Sequence, residues 1–200
     1  MDPKIPPQFD GAQSDASSEM VFANEAAAIE HFKLVRKRFL DINSWELFAG
    51  IEKAEFSLRD ENGKLSLLQP KVNDLITVKV PLLHNSEGGY DWVRIEKFEE
   101  EYQPGFESVF IQVRPTYNPL LGGKTTTHFL DSQATSNFLI KREGSKISAE
   151  VHARNEIPNT DDEKLMEKVR NKIVALGGML FGSKMQWDGL TNGLLKNEDK

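Results

Sequence analysis

The sequence predicts an α+β fold in which a curved antiparallel β-sheet of six or seven strands grips a long C-terminal α-helix, with a short helix pair near the N-terminus. Apolar residues recur at helical spacing between Ala28 and Phe39 and again between Leu165 and Leu180. Between residues 52 and 157 they alternate with polar residues, as they do in half-buried antiparallel strands. A strongly curved sheet cannot cover its own concave face, so the long helix is expected to lie across it.

The first 19 residues are predicted to form a disordered leader, and residues 20–196 are predicted to form a single domain. Three of the nine prolines lie in this leader, and its few apolar residues are scattered. Such a segment buries too little apolar surface to offset the conformational entropy lost on ordering. A partner-binding arm is the alternative interpretation of the same residues.

The first helix is predicted to begin after Asn24, a favourable N-cap. Asn43-Ser44 then interrupts the chain and can cap a second short helix, Trp45–Phe48, which Gly50 ends. The first helix carries four basic residues, Lys33, Arg36, Lys37 and Arg38. We interpret them as a solvated face near the C-terminal end, where the helix dipole favours cations. Binding of a phosphate or a lipid headgroup is the alternative.

The central region carries short apolar segments with the period of a strand. These segments are Ala54–Leu58, Leu75–Val80, Asp91–Phe98, Val109–Val113, Phe129, Phe138–Ile140 and Ile147–Ala153. Asn62-Gly63 and Glu143-Gly144 are predicted turns. In the last segment the opposite face carries Glu150, His152 and Arg154, and the sequence does not decide which face points toward the helix.

The C-terminal helix is predicted to begin at Asn159 or Thr160, before an acidic first turn. Its apolar stripe runs from Leu165 to Leu180, and Gly177-Gly178 interrupts it. A glycine pair inside a helix suggests a close backbone approach, a kink or an end. Apolar residues continue beyond the pair as far as Leu190.

Residues 32–50, FKLVRKRFLDINSWELFAG, are similar to the opening segment of the START-like superfamily, also called SRPBCC or helix-grip. In that segment a helix runs into an Asp-containing turn, a Trp and an aromatic residue before Gly, places filled here by Asp41, Trp45, Phe48 and Gly50. Lys71–Asp74 looks like the family's valine–glycine–aspartate strand opening, with Asn in place of Gly.

The resemblance implies a ligand-binding or polyketide-cyclase-like member of that superfamily. It implies a cavity between the sheet and the long helix that holds an apolar or amphipathic ligand. It also implies that the family's first strand falls at Glu19–Ala23. The family has no shared catalytic residues to place on this chain.

Composition argues against several classes of protein. The chain has no cysteine, which removes disulfides, thiolate metal sites and a cysteine nucleophile. The net charge of −6 argues against a nucleic-acid binder. No apolar run reaches the length of a membrane span, and the first residues lack the pattern of a secretory signal, so a soluble cytoplasmic protein is expected. No cofactor or metal is predicted.

Asn118–Thr125 matches the phosphate-loop pattern GxxxxGK[ST] except that Asn118 stands at the first glycine. Pro119 removes one backbone N–H that could face a phosphate. The β-branched residues Thr125, Thr126 and Thr127 are poor at starting the helix that such a loop needs. A mobile loop between strands, which could cover a cavity mouth, is the preferred interpretation.

Ten residues are predicted to line the cavity, although aromatic residues of this kind are often plain core. They are Trp45, Phe48, Trp92, Phe110, His128, Phe129, Phe138, His152, Arg154 and Met179. Arg154, His152 or His128 could anchor the polar end of a ligand. No pair of histidines has the spacing of a metal site.

Three functions are compatible with these observations. The preferred one is non-catalytic binding of a hydrophobic or amphipathic small molecule between the sheet and the C-terminal helix. The second is a cyclase or hydrolase on the same scaffold, with His152 or His128 as acid or base. The third is a protein–protein adaptor with a collapsed cavity, in which the Trp187 end or the leader contacts the partner.

Overall fold

The computed structural model describes residues 2–49, 54–79, 90–122, 126–159 and 183–197, with the backbone alone for residues 183–186. Within these residues the strands are β1 (Ala12–Val21), β2 (Glu55–Arg59), β3 (Leu75–Lys79), β4 (Asp91–Gln103), β5 (Phe106–Pro115), β6 (Thr135–Glu143) and β7 (Lys146–Glu156). The α-helices are α1 (Glu25–Leu40) and α2 (Ser183–Leu195). Two short 3-10 helices span Ile42–Leu47 and Pro119–Leu121.

The seven described strands form one antiparallel sheet in the order β1-β7-β6-β5-β4-β3-β2. Consecutive strands from β2 to β7 are neighbours, and β1 returns to the free edge of β7. Gly105 turns the chain between β4 and β5, and Gly144 turns it between β6 and β7, both at positive φ. The predicted α+β fold with a curved antiparallel sheet and helices at both ends of the chain is confirmed.

The position of β1 corrects the predicted leader. Residues 12–19 belong to a strand that pairs with β7, with Asp15 opposite His152 and Ser17 opposite Glu150. Ala16 is the one buried residue of this edge strand. Backbone hydrogen bonds to β7 therefore hold a segment whose side chains show no apolar pattern. The first strand also lies earlier than the Glu19–Ala23 that the resemblance implied.

Residues 2–9 are also ordered, so the disordered leader is wrong for residues 2–19. Ile5 is buried and forms a small apolar cluster with Phe110 and Leu139. The Asn155 N–H donates to Gln8 Oε1 at 2.8 Å, and the Asn155 side chain accepts from the next backbone N–H groups of the segment. The N-terminal segment thus covers part of the sheet that no helix covers.

Helix α1 begins as predicted. Asn24 Oδ1 accepts the Ala27 N–H at 2.9 Å, and the apolar face from Ala28 to Phe39 is buried in the core. One basic residue departs from the predicted solvated face. Arg38 is buried and donates to the carbonyl oxygens of Leu194 and Lys196, where it caps the C-terminal end of α2.

Two predicted elements differ from the structure. Asn62-Gly63 lies in a turn, but the pairing that follows is limited to a bridge between Arg59 and Leu65, and a loop continues to β3. Phe129, predicted to mark a strand, lies in the connection between β5 and β6. The short helix predicted at Trp45–Phe48 is the 3-10 helix that begins at Ile42.

The main core lies between the sheet and the helices, on what we call the helix-covered face of the sheet. Each strand contributes alternate residues to this face, and in β7 these are Ile147, Ala149 and Val151. Residues of the opposite parity in β7 therefore belong to the outer face, which settles the orientation that the sequence left open. Helix α2 lies against β1 and β7, and Leu190 and Leu194 enter the core.

The stripe from Leu165 to Leu180, its glycine pair and Met179 lie outside the described residues, as do Gly50 and Gly123–Thr125. Trp187, which follows the stripe in sequence, lies in α2. Among the described helices, none is both long and apolar enough to cross a lipid bilayer.

Candidate functional site

Four aromatic side chains meet on the helix-covered face, and we call them the aromatic cluster: Trp45, Phe56, Phe138 and Trp187. The ring centroids of Trp45 and Phe138 lie 4.9 Å apart, and those of Trp45 and Phe56 lie 5.5 Å apart. Trp187 approaches Phe138 edge-on at 5.5 Å. These separations are typical of favourable aromatic pairs.

The curvature of the sheet brings the cluster together. Phe138 lies in β6 and Phe56 in β2, which are four strands apart in the sheet order. Four strand spacings in a flat sheet amount to about 19 Å. Both rings nevertheless contact Trp45, because the sheet wraps around the 3-10 helix that carries it.

Local bonds fix Trp45 at the centre. Its indole N–H donates to the Phe39 carbonyl at 3.0 Å, which ties the tryptophan to the last turn of α1. The 3-10 helix begins where α1 ends, at the Asp41 N–H bond to the Lys37 carbonyl. Trp45 is fully buried, whereas Trp187 at the edge of the cluster is half-buried.

Three of the predicted cavity residues lie on this face. Trp45 and Phe138 belong to the cluster, and Phe48 packs against the same core with the Arg38 guanidinium 5.5 Å from its ring centroid. The predicted set omitted Phe56 and Trp187. Phe56 could have been found from its place between Ala54 and Leu58 on the apolar face of its strand.

Four other predicted cavity residues lie on the outer face, which corrects their assignment. Trp92, Phe110, His152 and Arg154 alternate with core residues of their strands, and the pleat therefore turns them away from the helices. Phe110 packs with Ile5, and the Arg59 guanidinium lies 5.8 Å from the ring centroid of Trp92. None of the four lines a space between the sheet and the described helices.

The outer face of β7 and β1 carries a network of charged side chains. His152 Nδ1 lies 2.6 Å from Asp15 Oδ1, and its Nε2 lies 3.0 Å from Glu150 Oε2. The fully buried Arg154 contacts the same Asp15 oxygen at 2.7 Å. Lys141 Nζ lies 3.1 Å from Glu150. The network joins the edge strand to the sheet by charge-assisted hydrogen bonds.

The pKa values in this network follow from those contacts. Burial alone would raise the pKa of Glu150, but hydrogen bonds from His152 and Lys141 outweigh it and lower the pKa to about 2. Burial alone would lower the pKa of His152, but the carboxylates of Glu150 and Asp15 outweigh it and raise the pKa. With both ring nitrogens facing carboxylates, the charged imidazole has no lone pair free to act as a base.

His128 and Phe129 lie together in the connection between β5 and β6, with ring centroids 4.3 Å apart. His128 is buried, and its Nδ1 accepts the Leu130 N–H at 2.9 Å. Burial lowers the pKa of His128 to about 3, so the ring is neutral near pH 7. A buried ring whose Nδ1 is already bonded to the backbone is poorly suited to acid–base catalysis.

The described residues contain no group of three His, Asp or Glu side chains placed to hold a metal ion. Neither His152 nor His128 has the environment of a general base. The helix-covered face carries buried aromatic and aliphatic side chains instead.

No protein-family model matches the sequence, and no curated protein matches it. Similar solved structures include a hypothetical protein from Helicobacter pylori, with 12% identity, coverage of 89% of this chain and 86% of that chain, and a TM-score of 0.44. A START superfamily protein from Mycobacterium smegmatis has 11% identity, covers 88% and 99%, and has a TM-score of 0.34. A major latex-like protein from Panax ginseng has 9% identity, covers 83% and 98%, and has a TM-score of 0.32.

The fold assignment rests on the topology of this chain itself. An antiparallel sheet that wraps around the helices at both ends of the chain is what the resemblance to the START-like superfamily implies. The predicted helix-grip fold is confirmed.

Proposed function

We propose that the protein is a non-catalytic binder of an apolar or amphipathic small molecule, held on the helix-covered face of the sheet against the aromatic cluster. The observation that carries the proposal is the position of Trp187. It packs edge-on against Phe138 at the rim of a cluster that is otherwise buried, and it keeps part of its own surface exposed.

An aromatic side chain in that position favours a ligand for a simple physical reason. A half-buried indole leaves apolar surface in water, and covering such surface stabilises a complex by about 25 cal/mol per Å² before ordering costs. The ring is also rigid, so the tryptophan side chain loses little conformational entropy when a ligand stacks on it. The cluster can therefore act as a preformed apolar wall.

The nearby polar groups do not provide an anchor for a charged ligand. His31 Nε2 lies 2.8 Å from the Leu195 carbonyl oxygen, and Arg38 donates to the carbonyls of Leu194 and Lys196. Both side chains are thus engaged with the end of α2. His152 and Arg154, which the sequence suggested as anchors, belong to the outer face. We infer that recognition is mainly apolar.

Ligand binding can be tested with the three tryptophans, because two lie in the cluster and Trp92 lies on the outer face. Native mass spectrometry after gentle purification would detect a co-purified apolar ligand. The amphipathic fluorophore anilinonaphthalene sulfonate would serve as the probe, with energy transfer from tryptophan as the signal. We expect saturable transfer that persists in Trp92→Phe and loses about tenfold in affinity in Trp187→Leu.

The matched control is Trp92→Phe, which removes a tryptophan without touching the cluster. Thermal melting must show that both variants fold. Equal probe affinity in Trp187→Leu and Trp92→Phe would contradict binding at the cluster. Absence of both a co-purified ligand and saturable probe binding would instead favour the adaptor with a filled interior.

A further inference from the structure

We propose that a surface formed by one loop and helix α1 docks the protein onto an anionic lipid bilayer. We call it the leucine–lysine surface, and it comprises Leu67, Leu68, Lys33, Arg36 and Lys37. The proposal is independent of the aromatic cluster, because it rests on exposed residues at the other side of α1 and on the loop between β2 and β3.

Two adjacent leucines form the apolar part of this surface. Leu67 is 84% exposed and Leu68 is 78% exposed, and Leu65 in the same loop is also exposed. Single exposed leucines are common on soluble proteins, but a consecutive pair with a third nearby forms a patch. Such a patch gains free energy when it leaves water.

The loop that carries these leucines is held in place by hydrogen bonds. Asn43 in the 3-10 helix bonds to both the loop and the strand before it. Its Nδ2 donates to the Ser66 carbonyl at 2.9 Å, and its Oδ1 accepts the Leu58 N–H at 2.8 Å. The Asp60 side chain accepts the Asn62 and Lys64 N–H groups at the preceding turn. The leucines are therefore presented on a fixed backbone, which reduces the ordering cost of docking.

Basic side chains of α1 stand opposite the leucines across a groove of about 350 Å³. Lys33 and Lys37 are exposed and lie four residues apart, on one side of the helix. Arg36 donates to both carboxylate oxygens of Glu100, the shorter contact at 2.7 Å, so its charge is largely compensated. Lys33 pairs with Glu30 at 2.7 Å, but that pair is exposed and weak, so Lys33 and Lys37 can meet an anionic surface.

Exposed leucines beside exposed lysines favour a lipid bilayer as the partner. The chain carries a net charge of −6, so attraction to an anionic membrane must come from a local cationic patch. Aliphatic side chains that enter the acyl region beside lysines that stay at the headgroups form the pattern of peripheral membrane attachment. Lysines near an anionic leaflet add attraction that salt weakens.

The test is binding of the full chain to vesicles of phosphatidylcholine and phosphatidylglycerol in equal amounts, measured by co-sedimentation. We expect the wild type to bind these vesicles and to bind phosphatidylcholine vesicles at least about tenfold more weakly. Leu67→Ser with Leu68→Ser should lower the partition coefficient on mixed vesicles by at least about tenfold. Lys33→Gln with Lys37→Gln should lower it by a similar factor and reduce its dependence on salt.

The matched control is a second pair of exposed adjacent leucines, Leu120 and Leu121, which are 60% and 57% exposed in another loop. Leu120→Ser with Leu121→Ser should leave vesicle binding unchanged. Because all these positions are exposed, the variants should fold, and an unchanged melting temperature would verify it. Failure of the wild type to bind mixed vesicles, or equal losses in the two leucine variants, would overturn the proposal and direct attention to a protein partner.

Discussion

Nδ1 of His152 lies 2.6 Å from Oδ1 of Asp15, its direct neighbour on the adjacent strand β1. The contact ties a segment of polar sequence to the edge of the sheet. Its strength depends on charge, because the imidazole must be protonated to donate to Asp15 and Glu150 at once.

The first prediction concerns the pH dependence of this contact. The pKa of His152 is raised in the folded protein, so its stabilising contribution is complete below the ordinary value of 6.5 and is lost as pH rises through the folded pKa. We expect the free energy of unfolding of the wild type to fall over that window by more than that of His152→Gln. Urea unfolding across the pH range measures it, and parallel curves for the two proteins would contradict the prediction.

A second pH effect is predicted at Glu156, close to the end of β7. Burial raises the pKa of Glu156 to about 7, although the Arg154 guanidinium lowers it in part. Because the folded pKa is raised, the protonated carboxyl stabilises the fold below the ordinary value of 4.5, and this contribution is lost as pH rises through about 7.

Glu156→Gln removes the charge that forms on that carboxyl. Above pH 7 the variant should be more stable than the wild type by about 2 to 3 kcal/mol, while below pH 4.5 the two should agree. The control is Glu143→Gln at an exposed position of β6, which should leave the free energy of unfolding unchanged both below pH 4.5 and above pH 7. Equal stability of the wild type and Glu156→Gln above pH 7 would disprove the assignment.

The third prediction concerns the aromatic cluster. Phe138→Ala would leave a cavity beside Trp45 and Trp187 in the curved part of the sheet. We expect a loss of about 3 to 5 kcal/mol in the free energy of unfolding. Phe9→Ala, at a position 82% exposed, is the matched control and should change stability by less than about 0.5 kcal/mol. Similar losses in both variants would mean that Phe138 is not packed as the structure has it.

The fourth prediction concerns the packing of α2 against Phe48. A Cβ added at Gly193 would overlap the Phe48 carbonyl oxygen and would lie 2.8 Å from the Phe48 Cβ. Alanine favours an isolated helix over glycine by about 1 kcal/mol, but here the overlap should outweigh that gain. We expect Gly193→Ala to lower the melting temperature. Asn192→Ala on the exposed side of the helix is the control, and an equal or higher melting temperature for Gly193→Ala would count against the close packing.

Much of the fold could be predicted from local patterns. Asn24 caps α1 as predicted, and the alternation of Ile147, Ala149 and Val151 correctly marks the last strand. These features depend on near neighbours in the chain, such as a cap three residues from its partner or a period of two. The resemblance at residues 32–50 correctly indicated the helix-grip arrangement.

The candidate site was predicted only in part. Trp45, Phe48 and Phe138 were identified, but Phe56 was not. His152 and Arg154 were offered as cavity residues with the face of their strand left open, and they lie on the outer face. Apolar spacing shows that a strand has two unlike faces without showing which of them a helix covers. The burial of Arg38 could not be predicted from the sequence either, because its partners are carbonyl oxygens about 156 residues away in sequence.

The sequence by itself determined helix α1, the approximate positions of strands β2 to β7 and that the core is apolar, because those properties follow from side-chain spacing along the chain. The tertiary structure alone decided that the polar segment Ala12–Val21 is a strand and that Phe56 and Phe138 share a neighbour in Trp45. The physical reason is that edge pairing and sheet curvature act between residues distant in sequence. Backbone hydrogen bonds and the wrapping of the sheet leave no periodic trace in the side chains they bring together.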